Sequence, residues 1–254
     1  MKLLMTRPNT LLALTLLGAL SGGPSQAADP VRVAVAANLL PVMETIAADY
    51  QRQTGEQVQL AGGSSGAFFE QIQRGAPFDL FYSADAERPE KLLQAKHGEA
   101  VTTYACGRLA LWTPKAQPDL TQLPNGKLAI AQPDTAPYGR AALQALERSG
   151  QLPGLSSRLV YGQDIGQTFQ FVATGNASSG LVALSQLTAA KTPETQYRQL
   201  DAGLYEPLVQ KRILLAKGDR RAAAERFLAY FDAQGSRLKQ AGYALPGEAG
   251  CAAQ

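Results

Sequence analysis

Residues 31–50 read VRVAVAANLLPVMETIAADY, and their pattern decides the expected fold. The β-branched and small residues at 31–37 predict a strand. Asn38 then reads as the N-cap of a helix, because apolar residues recur after it at helical spacing. These apolar positions are Leu39, Val42, Met43, Ile46 and Tyr50. A strand followed at once by an amphipathic helix is the repeating unit of a parallel α/β sheet.

The same unit recurs along the chain in two series. The first series has further strands at 57–60 and 79–84, each followed by a helix, and these helices end near residues 74 and 95. The second series has strands at 127–131, 159–161 and 180–184, with helices at 138–148 and 164–173. A last helix is expected at 220–241, where Ala224, Phe227, Leu228 and Phe231 share one face.

The alternation predicts an α/β protein with parallel or mixed sheets covered by helices on both faces. Connecting strands near 108–112 and 212–216 suggest two lobes joined by two crossings. We expect the first lobe to comprise residues 28–108 and 216–254, and the second lobe to comprise 109–215. Such a layout leaves a cleft between the lobes, where ligands prefer to bind, and allows hinge closure.

The first 27 residues have the features of a secretory signal peptide. Lys2 and Arg7 precede an apolar run at 11–20, and Ser25-Gln26-Ala27 fits a signal-peptidase site, so cleavage near Ala27 is expected. The apolar run is too short to span a bilayer, and the alternative is a buried N-terminal helix. The signal peptide predicts an exported, periplasmic protein.

Charge and cysteine content narrow the function classes. Removing residues 1–27 takes away two cations and no anions, which lowers the formal net charge from +3 to +1. A nucleic-acid partner is therefore not expected, because binding would need clustered basic residues. Cys106 and Cys251 could form a disulfide in an oxidising compartment or remain separate thiols. His97 is the single histidine and neither cysteine has metal-ligand spacing, so a zinc site is not expected. We expect no cofactor.

Helix N-termini are the most informative positions, because their unpaired N–H groups and partial positive charge attract anions. Each predicted lobe contributes two of these helix starts. They lie at Asn38, at Ser64-Ser65, at Pro137-Tyr138 and at Asp164-Ile165. Each one alone could equally be an ordinary cap or loop, so the pattern does not by itself name a ligand.

Residues 62–66, GGSSG, also fit the G-x-S-x-G elbow of serine hydrolases. Such an enzyme needs a histidine late in the chain, whereas His97 follows Ser64 by only 33 residues. The order of these residues disfavours a secreted hydrolase, and we expect a binding protein that is not an enzyme.

Four segments of the chain resemble the periplasmic molybdate-binding proteins of molybdate ABC importers. They lie at 33–39, 63–66, 75–85 and 131–139, and GAPFDLFYSAD at 75–85 is the most specific of them. The similarity extends over residues 31–242. It implies a two-lobe periplasmic binding protein fold, of the type II kind, that closes on one tetrahedral oxyanion.

The resemblance also implies a set of ligand-binding residues: Asn38, Ser65, Tyr138 and Ile165. Asn38 stands where many members have Ser, and its amide and backbone N–H would both donate. Ser65 would donate from its hydroxyl and N–H, and the other two residues from their backbone N–H groups. Many members bind the anion with a Tyr hydroxyl where this chain has Ala183, and we expect the Tyr138 hydroxyl to replace it.

The implied function is the capture of molybdate, or of tungstate, by a monomeric periplasmic protein that delivers it to a membrane ABC permease. A fully deprotonated dianion only accepts hydrogen bonds, so a site made of donors suits it. A receptor for sulfate or another tetrahedral oxyanion is the alternative, because sulfate differs from molybdate mainly in size. A secreted serine hydrolase is the third hypothesis.

Overall fold

The computed structural model describes residues 29–251, so the predicted signal peptide lies outside the described residues. The strands in this part are β1 (Val31–Ala36), β2 (Val58–Gly63), β3 (Leu80–Tyr82), β4 (Glu99–Gly107), β5 (Leu109–Trp112), β6 (Leu128–Ala131), β7 (Leu159–Gly162), β8 (Ser179–Ala183), β9 (Tyr197–Gln199) and β10 (Leu208–Leu214). The helices are α1 (Leu40–Thr54), α2 (Ser65–Gln73), α3 (Glu87–Gln94), α4 (Pro137–Arg148), α5 (Leu152–Leu155), α6 (Ile165–Ala173), α7 (Leu184–Ala189), α8 (Arg221–Asp232) and α9 (Gly235–Gln240).

The first lobe is built on a five-stranded sheet with the order β2-β1-β3-β10-β4. Strands β1, β2 and β3 are parallel, whereas β10 runs antiparallel to both β3 and β4. Val33 and Val35 pack toward α1 and α8, and Ala34 packs on the opposite face toward α2 and α3. Strand β1 is apolar apart from Arg32 because both faces of the sheet are covered.

The second lobe repeats this design with a five-stranded sheet of order β7-β6-β8-β5-β9. Strand β6 is parallel to β7 and β8, and β5 is antiparallel to β8 and β9. Leu128 and Ile130 pack in the cluster that contains α4, whereas Ala129 packs with Val172 of α6 on the other face. The chain is therefore an α/β protein with two mixed sheets, as the sequence predicts.

The second crossing lies earlier in the chain than the sequence suggests. Arg212 pairs with Tyr82 of β3, so β10 belongs to the first sheet, and the chain returns to the first lobe between Gln199 and Leu208. The expected boundary after residue 215 is wrong in this respect. The start of β10 is not predicted because residues 210–212 are polar, although all three are buried in the structure.

The end of the described chain is fixed to the first lobe by a disulfide. Cys106 at the end of β4 is bonded to Cys251, with a Cα–Cα distance of 5.4 Å. Cys106 and Ala244 also exchange two backbone hydrogen bonds of 2.8 and 3.1 Å. Phe227 and Phe231 of α8 pack in the core of the first lobe, so the final helices return to it as expected. Among residues 29–251, no helix combines the length and apolar character that crossing a membrane requires.

Candidate functional site

A small cavity lies between the lobes, at the helix starts that the sequence analysis singled out. Its volume is about 10 Å³. The four residues predicted to bind an oxyanion all line it: Asn38, Ser65, Tyr138 and Ile165. The other residues around it are Ala36, Ala37, Gly63, Ser64, Ala84, Ala136, Pro137 and Asp164. The fold therefore brings together helix starts that are far apart in the chain.

Backbone N–H groups without a protein acceptor surround this cavity. In the described part of the chain, such groups include those of Asn38, Ser65, Tyr138 and Ile165. The last three residues lie in the first turns of α2, α4 and α6, where the helix itself supplies no acceptor. The same first turns carry the partial positive charge of the helix dipole. The cavity thus presents donors from both lobes.

Ser65 adds a hydroxyl whose hydrogen is free to donate. The Ala84 N–H donates to Ser65 Oγ over 2.9 Å, which uses an acceptor position of the hydroxyl and orients it. No acceptor for the Ser65 hydroxyl hydrogen lies among residues 29–251, and the side chain is buried. A hydroxyl held in this way can give its one hydrogen to a bound acceptor. The sequence does not predict that the Ala84 N–H orients the Ser65 hydroxyl, because the partner of a backbone N–H cannot be read from residue types.

Ile165 is suited to the site because the residue before it caps the helix. Asp164 Oδ1 accepts a 2.8 Å hydrogen bond from the Gln167 N–H, which confirms the predicted N-cap. Gln186 Nε2 donates to the Ile165 carbonyl over 2.9 Å and holds this first turn in place. A contact through the backbone N–H, which the first turn of α6 leaves unpaired, places no demand on the side chain, so an apolar residue is acceptable at 165.

Asn38 does not cap α1, so that prediction is wrong. The N-cap position of α1 is Leu39, which makes no side-chain cap bond. Asn38 Nδ2 instead donates to Gln210 Oε1 over 3.0 Å and to the Tyr243 hydroxyl over 2.9 Å. Asn38 Oδ1 is buried and has no hydrogen-bond partner among the described residues. The side chain is drawn away from the helix because these two buried polar groups lie beside it.

Tyr138 is buried at the start of α4, and its hydroxyl lies at the first crossing between the lobes. Gln210 Nε2 donates to this hydroxyl over 3.3 Å. A Cβ atom on Gly107 would lie 2.1 Å from the same oxygen, so only glycine fits at residue 107. Burial raises the pKa of the Tyr138 hydroxyl well above its ordinary value, which keeps the hydroxyl protonated.

The charge lining the cavity is small and of one sign. Among the described residues, no Lys or Arg lines it, and Asp164 is the one charged lining residue. The site therefore relies on neutral donors and helix dipoles, which avoids the desolvation cost of a buried cation.

The lobes touch each other around the cavity. The Gly66 N–H of α2 donates to the Thr135 carbonyl of the second lobe over 2.8 Å. Ser185 Oγ of α7 donates to the Asn38 carbonyl over 3.0 Å. Arg140 of α4 lies 3.4 Å from Glu87 of α3, and both side chains are about half exposed. These contacts define a closed arrangement of the two lobes.

The residues required for a serine hydrolase are not brought together. Ser64 Oγ caps α2 by accepting from the Ala67 N–H over 3.2 Å. His97 follows α3 and lines a separate groove that also contains Arg32 and Arg220. The GGSSG segment is thus a strand-to-helix turn at the cavity rather than a nucleophile elbow with its base.

The model of the family described as bacterial extracellular solute-binding protein matches residues 31–243. The molybdate-binding protein ModA of Azotobacter vinelandii is 41% identical over 236 residues, which covers 87% of this chain and 92% of the relative. ModA of Rhodobacter capsulatus is 40% identical over 211 residues, covering 80% of this chain and 82% of the relative.

Solved structures of solute-binding proteins are also similar to this chain. The periplasmic molybdate-binding protein of Azotobacter vinelandii superimposes with a TM-score of 0.80 at 34% identity, covering 85% of this chain and 99% of that chain. The sulfate-binding protein SubI of Mycobacterium tuberculosis matches with a TM-score of 0.69 at 12% identity, covering 87% and 88%, and shares the fold. The chain belongs to the bacterial extracellular solute-binding protein family, and its molybdate-binding members are similar to it over most of their length.

Proposed function

We propose that this protein captures molybdate, or the closely similar tungstate, in the periplasm and delivers it to an ABC permease. The observation that carries the proposal is the presence of unpaired N–H groups at Asn38, Ser65, Tyr138 and Ile165 around one small cavity between the lobes. The names of the relatives from Azotobacter vinelandii and Rhodobacter capsulatus support the choice of anion.

The donor set suits a fully deprotonated dianion. Molybdate oxygens only accept hydrogen bonds, so each one can be met by an N–H or hydroxyl from either lobe. Protonated phosphate also needs an acceptor for its own hydrogen. Asp164 is the one carboxylate among the described lining residues, and it caps α6 through Oδ1. The unpaired N–H groups around the cavity can only donate, so we place phosphate below molybdate in affinity.

Closure of the lobes couples capture to delivery. The donors come from both lobes, so the anion is fully enclosed only when the lobes meet, and a permease can recognise the surface that closure creates. The protein acts as a monomer in this proposal, and it performs no chemistry on the anion.

A thermal-shift series across molybdate, tungstate, sulfate, phosphate and chromate tests the proposal. At a ligand concentration of about 100 Kd the folded state gains about 2.7 kcal/mol, which corresponds to a rise in Tm of about 5–10 °C for a chain of this size. We expect this rise for molybdate and tungstate, and a much smaller one for sulfate and phosphate at equal concentration.

The other outcomes of the series are equally informative. An equal shift with sulfate would favour a general sulfate-type receptor, and no shift with any anion would refute oxyanion binding. The hydrolase hypothesis would return if the protein hydrolysed an ester and the Ser64→Ala variant lost that activity.

A further inference from the structure

The segment 75–85 ends beside the cavity, although none of the four predicted ligand-binding residues lies in it. Its last three residues, Ser83, Ala84 and Asp85, follow β3 and are at most 6% exposed. Ala84 lines the cavity, and its N–H is the group that orients the Ser65 hydroxyl. The position of the Ala84 N–H therefore decides where the Ser65 hydrogen points, so the contacts that fix this peptide bear on binding.

Strand β10 holds the main chain on either side of Ala84. The Ser83 N–H donates to the Lys211 carbonyl over 2.9 Å, and the Lys211 N–H donates to the Asp85 carbonyl over 3.2 Å. These two bonds hold residues 83 and 85 against the sheet, while the Ala84 N–H donates to Ser65 Oγ of α2. The turn at 83–85 thus connects the sheet of the first lobe to one of the predicted ligand-binding groups.

The Asp85 carboxylate closes this turn with hydrogen bonds to both of its oxygens. Oδ1 accepts from the Ser83 hydroxyl over 2.9 Å and from the Arg88 N–H, in the first turn of α3, over 3.2 Å. Oδ2 accepts from the Arg88 guanidinium. Because the Ser83 and Asp85 side chains are joined across Ala84, the peptide that carries the Ala84 N–H cannot rotate without breaking this buried bond.

A carboxylate next to a cavity for an anion has an electrostatic cost, because like charges repel most strongly where water is excluded. Two guanidinium groups offset this cost. The Arg88 side chain, which is 13% exposed, pairs directly with Asp85, and Arg140 of the second lobe lies 3.9 Å from Asp85 Oδ2. A neutral amide would avoid the repulsion, but only a carboxylate accepts hydrogen bonds at both ends. Its acceptor capacity therefore explains why a carboxylate fits this position.

We propose that Asp85 is a positioning residue that fixes the Ala84 N–H and so directs the Ser65 hydroxyl hydrogen toward the bound oxyanion. The inference rests on the proposed function and deepens it, since it adds a residue that sets affinity without touching the ligand. Charge and positioning predict opposite effects for Asp85→Asn. Removing a negative charge favours a dianion, whereas the new amide, whichever way it turns, places its NH2 group against an N–H of Arg88 and weakens the turn.

The test is a double-mutant cycle in which calorimetry measures the Kd for molybdate of the wild type, Asp85→Asn, Ser65→Ala and the double variant. We expect Asp85→Asn to raise the Kd about 3- to 10-fold in the wild-type background. In the Ser65→Ala background the same change should alter the Kd by less than about 2-fold, because no hydroxyl remains to be directed.

Asp79→Asn is the matched control. Asp79 lies in the same segment, is 3% exposed, and accepts from the Arg220 guanidinium with both of its oxygens. It lines the separate groove that contains His97. The control therefore also removes a buried carboxylate that is paired with an arginine. It should lower stability but leave the Kd for molybdate within about 2-fold of the wild type.

A second variant and a second readout keep the test decisive. Ser83→Ala removes only the hydroxyl bond to Asp85 Oδ1, so it takes the place of Asp85→Asn in the cycle if that variant does not fold. We expect it to raise the Kd about 2- to 5-fold, again only when Ser65 is present. Hydrogen exchange of the Ala84 amide, followed by NMR without ligand, should be faster in both variants and unchanged in Asp79→Asn. This exchange rate decides the question if Ser65→Ala binds too weakly for the cycle.

Three results would overturn the inference alone. They are an unchanged or lower Kd in Asp85→Asn, an equal rise in Kd with and without the Ser65 hydroxyl, and an Ala84 amide that exchanges at the wild-type rate in the variants. Failure of the wild-type protein to bind any tetrahedral oxyanion would overturn the proposed function and this inference together.

Discussion

Ser65→Ala is the most direct test of the proposed site. The Ser65 hydroxyl accepts from the Ala84 N–H at 2.9 Å, so its hydrogen is the one available for the ligand. The substitution removes a hydrogen bond to a charged group, which is worth about 1–3 kcal/mol, and we expect the Kd for molybdate to rise about 5- to 150-fold. Calorimetric titration of both proteins at the same pH and ionic strength measures the change.

The same substitution has a separate effect on folding. It leaves the buried Ala84 N–H without an acceptor, so the ligand-free variant should also lose about 1–3 kcal/mol of unfolding free energy in urea. Ser179→Ala is the control, because Ser179 Oγ is buried in β8 and has no partner among the described residues. The control should bind molybdate like the wild type. A Ser65→Ala variant that is folded and binds with unchanged affinity would remove this hydroxyl from the site.

Two further predictions concern the contacts that hold the site together. Replacing Cys106 and Cys251 by Ser should lower the unfolding free energy by about 2–4 kcal/mol in urea denaturation, and an unchanged midpoint would show that the disulfide does not constrain the chain. The double variant should also bind molybdate more weakly, because the segment it releases carries Tyr243. Arg140→Gln removes the ion pairs of this half-exposed side chain with Glu87 at 3.4 Å and Asp85 at 3.9 Å, so we expect molybdate to dissociate faster by at most about 5-fold. This difference should shrink as salt is added, and a stopped-flow rate that differs equally at low and high ionic strength would contradict the reasoning.

The sequence predicts the two sheets, the return of the last helices and three of the four helix starts at the cavity, those of α2, α4 and α6. These features depend on local periodicity and on residue types at strand ends, which are visible without a structure. The assignment of ligand contacts to Asn38, Ser65, Tyr138 and Ile165 stays a prediction, although the fold places all four around one cavity.

What the sequence could not show depends on residues that meet only in the folded chain. Gln210 lies in β10, and the polar residues at the start of this strand led the sequence pattern to predict a strand that begins later and is shorter. In the folded chain Gln210 lies beside Asn38 and Tyr104. The N-cap predicted at Asn38 is wrong for the same reason, because its amide forms hydrogen bonds with two buried residues far along the chain, Gln210 and Tyr243. A hydrogen-bond partner 172 residues away leaves no local pattern.

The hydrogen bond from Gly66 to Thr135 has a consequence for the size of ligand that the protein can hold. The hydrogen bond brings the two main chains into direct contact, and a Cβ atom on Gly66 would lie 2.8 Å from both the Cα and the carbonyl oxygen of Thr135, so a side chain on residue 66 would force them apart. Main-chain atoms in contact cannot be compressed. The lobes therefore stop at a separation that the protein sets and not the ligand, and an oxyanion smaller than this spacing cannot draw the opposing donors any closer. The contact between Gly66 and Thr135 therefore sets a minimum distance between the neutral donors of the two lobes, and this distance selects an anion by its radius.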